Sequence, residues 1–239
     1  ISNPLLRVGD LPAIARLCKA RNCVLMVDNT FATPLLVRPL ELGAGVVIHS
    51  STKYLSGHGD TLGGLITTTE EFYETIRRLS RIAGPVMGPM ECFLTMRGIK
   101  SFALRVERQC QNAQALAAWL RTQAAVGQVN YPDDPNHPDA AVISRLLPEG
   151  LFGGMVSFEI RNAAKPAIFG FLDRLKLVVK ATSLGDVHTM ALYPWISSHR
   201  DVPPALKAEM GVRESLVRFS VGIEAIEDVI ADIDQALLG

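Results

Sequence analysis

Val46-Val47-Ile48-His49-Ser50-Ser51-Thr52-Lys53 decides the reading of this chain. An apolar run passes without a break into short hydroxyl side chains and a lysine. Such a run predicts a strand covered on both faces, as in a parallel sheet. Cys23-Val24-Leu25-Met26-Val27 reads the same way and ends at Asp28. Gly43 and Gly45 break the segment between the two runs. Upstream, Asp10 is placed to cap a helix with Pro12 in its first turn, and Leu11, Ile14 and Cys18 fall on one face. Downstream, residues 63–69 predict a third strand and Glu70 opens another helix. Helices alternating with short buried strands predict an α/β sheet.

Residues 90–122 have helix-forming composition interrupted only by Gly98, which predicts a long helix leading into a second domain. The texture then changes. Pro132, Pro135 and Pro138 mark a loop, and Val156, Phe158 and Ile160 alternate with polar neighbours as in a half-exposed antiparallel strand. Residues 216–221 predict another strand. A final helix carries Ile226, Val229, Ile230, Ile233 and Leu237 on one stripe, with acidic residues opposite. The division expected is a first domain over 1–104 and a smaller α+β domain over 105–239.

The 239 residues carry 24 basic and 24 acidic side chains, and 48% are hydrophobic. Balanced charge gives no footprint for nucleic acid or an anionic membrane. No apolar run is long enough to span a bilayer. The cysteines (Cys18, Cys23, Cys92, Cys110) lack C-x-x-C spacing and the five histidines are dispersed, so free thiols, a cytoplasmic setting and no metal site are expected. The chain opens Ile1-Ser2-Asn3-Pro4 without a methionine, and a further N-terminal part is expected ahead of it.

Ligands of open α/β sheets bind at the carboxyl ends of the strands. Asp28 ends the first run, and Ser50, Ser51, Thr52 and Lys53 end the second. A lysine amine, a carboxylate and hydroxyls on one edge suit pyridoxal phosphate. The amine condenses with the aldehyde, the carboxylate pairs with the protonated pyridine nitrogen, and hydroxyls hold the phosphate. Spacing alone leaves open a solvated lysine and an aspartate closing a turn. Arg218 interrupts an apolar strand, where an unpaired guanidinium is costly; it reads as a carboxylate clamp or as half of an internal salt bridge.

Val27-Asp28-Asn29-Thr30-Phe31-Ala32-Thr33-Pro34, followed by His49-Ser50-Ser51-Thr52-Lys53-Tyr54-Leu55-Ser56-Gly57-His58, resembles the signature of the Cys/Met-metabolism family of pyridoxal-phosphate enzymes. Ser2-Asn3-Pro4-Leu5-Leu6, Ser183-Leu184-Gly185-Asp186 and residues 217–224 are similar to further family motifs, in order along the whole chain. The family includes cystathionine γ-synthase, cystathionine γ-lyase, methionine γ-lyase and O-acylhomoserine sulfhydrylases.

The resemblance implies PLP fold type I, aspartate aminotransferase-like: the C-terminal portion of a mainly parallel sheet domain, then the α+β domain. It implies that Lys53 carries the cofactor and moves protons between substrate carbons. By the same resemblance Asp28 holds the pyridinium nitrogen, Ser50 and Thr52 contact the phosphate, and Asn3 sits near the ring's phenolic oxygen. Arg218 clamps the substrate carboxylate with help around Ser183. Tyr193, Trp195 and His199 fall in a loop that the family places near the substrate, whereas Tyr54 reads as packing. The implied activity is C–S cleavage of a sulfur amino acid by α,γ-elimination, in a homotetramer built as a dimer of dimers. The alternatives are γ-replacement and an inactive fragment. The family's N-terminal region, with a tyrosine stacked on the ring and phosphate-binding amides, has no counterpart in these residues. Val187-His188 stands where cystathionine enzymes carry a glutamate-bearing pair, while Asp186 is more like methionine γ-lyases and sulfhydrylases.

Overall fold

In the computed structural model, which describes residues 1–238, the Asp10 side chain accepts from the Ala13 N–H at 3.2 Å and caps α1 (Leu11–Ala20). The chain continues through β1 (Met26–Asp28), the short α2 (Thr33–Leu36), β2 (Val46–Ser50), a single π-type turn over Ser51–Leu55 and β3 (Gly64–Thr68). Three helices follow: α3 (Glu70–Ala83), α4 (Pro89–Ile99) and the long α5 (Phe102–Leu120). The rest comprises β4 (Val126–Asn130), α6 (Ala140–Leu146), β5 (Met155–Ile160), α7 (Lys165–Arg174), β6 (Val179–Lys180) and β7 (Met190–Leu192). The final elements are α8 (Pro204–Glu209), β8 (Leu216–Ser220) and α9 (Ile226–Leu238).

Two sheets result, ordered β1-β2-β3 and β4-β5-β8-β7-β6. β1 and β2 are parallel, with Asp28 opposite Ile48, whereas β2 and β3 are antiparallel, with Ser50 opposite Gly64. The first sheet is therefore mixed rather than mainly parallel. Residues 51–63 hold one helical turn and a glycine-rich loop, not the crossover that a parallel return requires. The expected first strand is also shorter and less covered: Val24 and Met26 are exposed, because β1 is an edge strand among the described residues. β2, lying between two neighbours, is buried as its apolar run requires.

The long helix expected over residues 90–122 is two helices. The break falls at Lys100 and Ser101, while Gly98 lies inside α4. A Cβ at Gly98 would stand 2.2 Å from the Ser56 carbonyl oxygen, so the absent side chain lets α4 pack on the Ser51–Leu55 turn. β5 is likewise not half-exposed. It lies between β4 and β8, with Ser157 donating to the Pro4 carbonyl at 2.6 Å and Glu159 paired with Arg213 at 3.2 Å. Its polar residues are buried because each has a partner.

α5 packs on β5 and α9, and α7 also lies against α9. Phe158, Phe171 and Phe219 fill the space over the second sheet, with the Phe158 and Phe219 rings stacked at 5.5 Å. The α9 stripe is buried at Val229 and Ile233 and half-buried at Ile226, Ile230 and Leu237, with Ala236 buried beside it. Asp232, expected on the solvent side, is buried too, accepting from the N–H groups of Lys176, Leu177 and Val178.

Candidate active site

Parallel pairing of Asp28 with Ile48 puts Asp28, Ile48 and Ser50 on one face at the carboxyl ends of β1 and β2. The loop between is tied down there. Thr30 N–H donates to Asp28 Oδ1 at 3.0 Å, and Ser50 N–H donates to Thr30 Oγ1 at 2.9 Å. The π-type turn follows at once, a local form frequent at functional sites. Within it Lys53 leaves helical geometry, at φ −92° and ψ −131°.

Lys53 Nζ donates to Ser183 Oγ at 2.8 Å. Arg218, on β8 and 2% exposed, donates from Nη2 to the Ser183 carbonyl at 3.2 Å and from Nη1 to Asn3 Oδ1 at 2.8 Å. Its Nε has no partner among the described residues. None of the ion pairs among the described residues includes Arg218, so the internal salt bridge is not what this arginine makes. A buried guanidinium with an idle donor is suited to a carboxylate arriving from solution. Burial lowers the Arg218 pKa to about 10, opposed by the nearby Tyr54. Burial, and then the Arg218 charge, lower the Lys53 pKa.

Lys53, Ser183, Arg218 and Asn3 are thus linked in one hydrogen-bonded chain, which passes through the hydroxyl and the backbone carbonyl of Ser183. Asp28 and Ser50 share the neighbouring sheet edge without a hydrogen bond to that chain. Asp28 is exposed there, free to meet a ligand. Thr52 accepts from Gly63 N–H at 3.0 Å and directs its own hydroxyl at the Gly63 carbonyl at a longer 3.4 Å. Tyr54 is buried as expected of a packing residue. Gly185, at φ +76°, approaches so closely that a Cβ there would stand 2.6 Å from Tyr54 N. The glycine-rich turn after Lys53 docks on the motif at 183–186, Val187 N–H donating to the Gly57 carbonyl at 3.0 Å.

The loop with Tyr193, Trp195 and His199 is held by Lys207, whose Nζ donates to the Trp195 carbonyl at 3.0 Å and lies 4.5 Å above the indole ring. His199 is buried, and burial, then Lys207 and Arg218, lower its pKa. Arg105, not among the residues expected at the site, donates to the carbonyls of Tyr54 and Leu55 at 3.0 and 3.3 Å. Its signal was available: Arg105, Gln109 and Asn112 recur at helical spacing beside the apolar stripe of α5.

Residues 1–238 match the family profile described as Cys/Met metabolism PLP-dependent enzyme. The chain belongs to that family. It is 43% identical over 237 residues to the cystathionine β-lyase of Lactococcus lactis subsp. cremoris (strain MG1363), covering 99% of this chain and 61% of that protein. It is 39% identical over 239 residues to the L-methionine γ-lyase of Fusobacterium nucleatum subsp. nucleatum, covering 99% and 60%. Among solved structures, the cystathionine γ-lyase of Micromonospora echinospora superposes with a TM-score of 0.95 at 38% identity, covering all of this chain and 62% of the other. The cystathionine γ-synthase of Xanthomonas oryzae pv. oryzae, in complex with cystathionine, gives 0.94 at 35% identity, covering 99% and 61%. The chain therefore spans about 61% of the length of these relatives. The PLP fold type I expected from the motifs is the fold observed, and the family's cofactor is pyridoxal 5′-phosphate. The donor set fits that group: a lysine amine of lowered proton affinity, an exposed carboxylate at a strand end, and the unpartnered buried Arg218 Nε, whose charge is felt at Lys53.

Proposed function

We propose that the chain belongs to a PLP-dependent C–S lyase acting on a sulfur amino acid by α,γ-elimination. The observation that carries this reading is Lys53 Nζ, 2.8 Å from Ser183 Oγ and beside a buried arginine without an acidic partner. When bound, pyridoxal phosphate supplies the electron sink that makes bonds at the substrate α-carbon breakable. The protein supplies the rest. A lowered proton affinity leaves more of Lys53 Nζ unprotonated near neutrality, which serves both attachment of the aldehyde and later proton transfer between substrate carbons. Arg218 binds the substrate carboxylate as a fork, with Ser183 fixing its orientation. Asp28 pairs with the pyridine nitrogen, Ser50 and Thr52 hold the phosphate, and Asn3 braces Arg218 while facing the ring oxygen.

In this reading residues 1–104 are the cofactor-binding portion, and residues 105–239 contribute Ser183 and Arg218. A homotetramer is the proposed assembly, supported by the exposed Ile82, Phe93, Met96 and Leu104. The free cysteines support a reducing, cytoplasmic setting. No helix among the described residues is long and apolar enough to cross a membrane, and none of their His, Cys, Asp or Glu side chains cluster as a metal site.

A γ-replacement enzyme is the second reading, favoured by the 0.94 TM-score to a cystathionine γ-synthase. Incubating the PLP-loaded chain with cystathionine or methionine separates the two. Thiol and α-keto acid release supports the lyase. Turnover only of an O-acylhomoserine with added sulfide or cysteine supports replacement. No turnover of either, with no cofactor retained, supports a fragment inactive by itself.

A further inference from the structure

α5 carries three buried polar side chains, Arg105, Gln109 and Asn112, at the spacing that places them on one helical face. Each donates to backbone carbonyls, and each reaches a different segment. Arg105 donates to Tyr54 and Leu55, just past Lys53, and to Gly98 at 2.9 Å. Gln109 Nε2 donates to the Asp186 carbonyl at 2.7 Å, just past Ser183. Asn112 Nδ2 donates to the carbonyls of Gly222 and Glu224 at 3.0 and 2.9 Å, just past Arg218. The three segments are also tied to one another, through Gly57 O with Val187 N–H, Gly185 N–H with Ser220 Oγ at 2.8 Å, and Ile223 N–H with Val187 O.

We propose that Arg105, Gln109 and Asn112 form a positioning ladder that fixes the relative register of Lys53, Ser183 and Arg218. This inference rests on reading those three as the active site. None of the ladder side chains hydrogen-bonds Lys53, Ser183 or Arg218 directly, so each acts through the backbone that it holds. Arg105 is in none of the ion pairs among the described residues; its two Nη groups donate to carbonyls and its Nε to Ser101 Oγ at 3.0 Å. An apolar side chain would fill the same space. What directional donors add is a unique arrangement, and reacting groups tolerate little misplacement.

The test uses three substitutions that leave net charge unchanged: Arg105→Lys, Gln109→Met and Asn112→Leu. Arg105→Lys keeps the cation but loses the planar fork that serves several carbonyls at once. Competitive acetylation with peptide mapping gives the titration midpoint of the free Lys53 amine in each folded sample, without added cofactor. Partial burial and the Arg218 charge lower the Lys53 proton affinity, and both depend on the placement that the ladder is proposed to fix. Each substitution is expected to move the midpoint upward, toward that of an ordinary lysine, and to lower the share of pyridoxal phosphate captured on Lys53 by borohydride. Midpoints identical to that of the unaltered chain, even with lowered melting temperatures, would overturn the ladder. Should either apolar variant fail to fold, Arg105→Lys alone decides by the same criterion. Capture spread over surface lysines in the unaltered chain contradicts the site reading instead, so the two failures are distinct.

Discussion

Lys53 is held below the usual lysine range by burial and by Arg218, and this has a consequence for stability. The folded chain binds a proton at Nζ less readily than the unfolded chain does. The penalty is complete at pH values below the lowered pKa, where Nζ is charged in both states. It fades as pH rises through that value toward the ordinary lysine value of about 10.4. Lys53→Met is therefore expected to raise the thermal midpoint at pH 7 and to lose that gain in alkaline solution. Melting curves across the range check this, and a gain independent of pH contradicts it. For Arg218→Met, methionine fills much of the arginine's volume without a buried charge, so stability is expected to hold. With Arg218 as the proposed carboxylate clamp, the loss is expected in catalysis: removing charge-assisted bonds to a substrate carboxylate should lower kcat/KM by roughly 10- to 150-fold, read from steady-state kinetics.

Among the elements, those enclosed by their own neighbours were the most legible in the sequence. The apolar run of β2 is buried because β1 and β3 flank it, and the α9 stripe meets α5 and α7. Elements whose surroundings come from distant chain segments misled. β5 alternates apolar and polar residues as a half-exposed strand does, yet Ser157 and Glu159 are buried because Pro4 and Arg213 supply partners. Lys53 stood out through the motif around it, whereas the ladder on α5 showed only in the spacing of its three polar residues, since its acceptors are carbonyls with no side-chain signature. Asp232 on α9 hid among acidic neighbours for the same reason. Burial raises its pKa, but the N–H groups of residues 176–178 and Gln235 outweigh that and leave it lowered. Its contribution is thus present above the ordinary aspartate value, about 3.9, and is lost as pH falls through the lowered one. Asp232→Ala is expected to destabilise by about 1–3 kcal/mol at pH 7. Urea titrations should show that difference narrowing near pH 3, and an undiminished difference there contradicts the carboxylate's role.

Across the whole molecule, the site belongs to neither sheet alone. Residues 2–8 run over the second sheet, fixed by Arg7 on Asp139 at 2.7 Å and Ser157 on Pro4. They bring Asn3 to Arg218, while Lys53 comes from the end of the first sheet. α3 has no buried residue, and Ile82, Phe93, Met96 and Leu104 face outward around it and the following helices. An apolar surface of that kind predicts self-association. Sedimentation velocity is expected to show a weight-average mass that rises with concentration, and a monomer at every concentration would contradict this.

Reduction in place tests Lys53 as the cofactor lysine. Pyridoxal phosphate is added to the purified chain, the visible spectrum is recorded, borohydride is added and the modified peptide is mapped by mass. A Schiff-base band and a single reduced adduct on Lys53 are expected. No band, or an adduct distributed over exposed lysines, would contradict that role for Lys53.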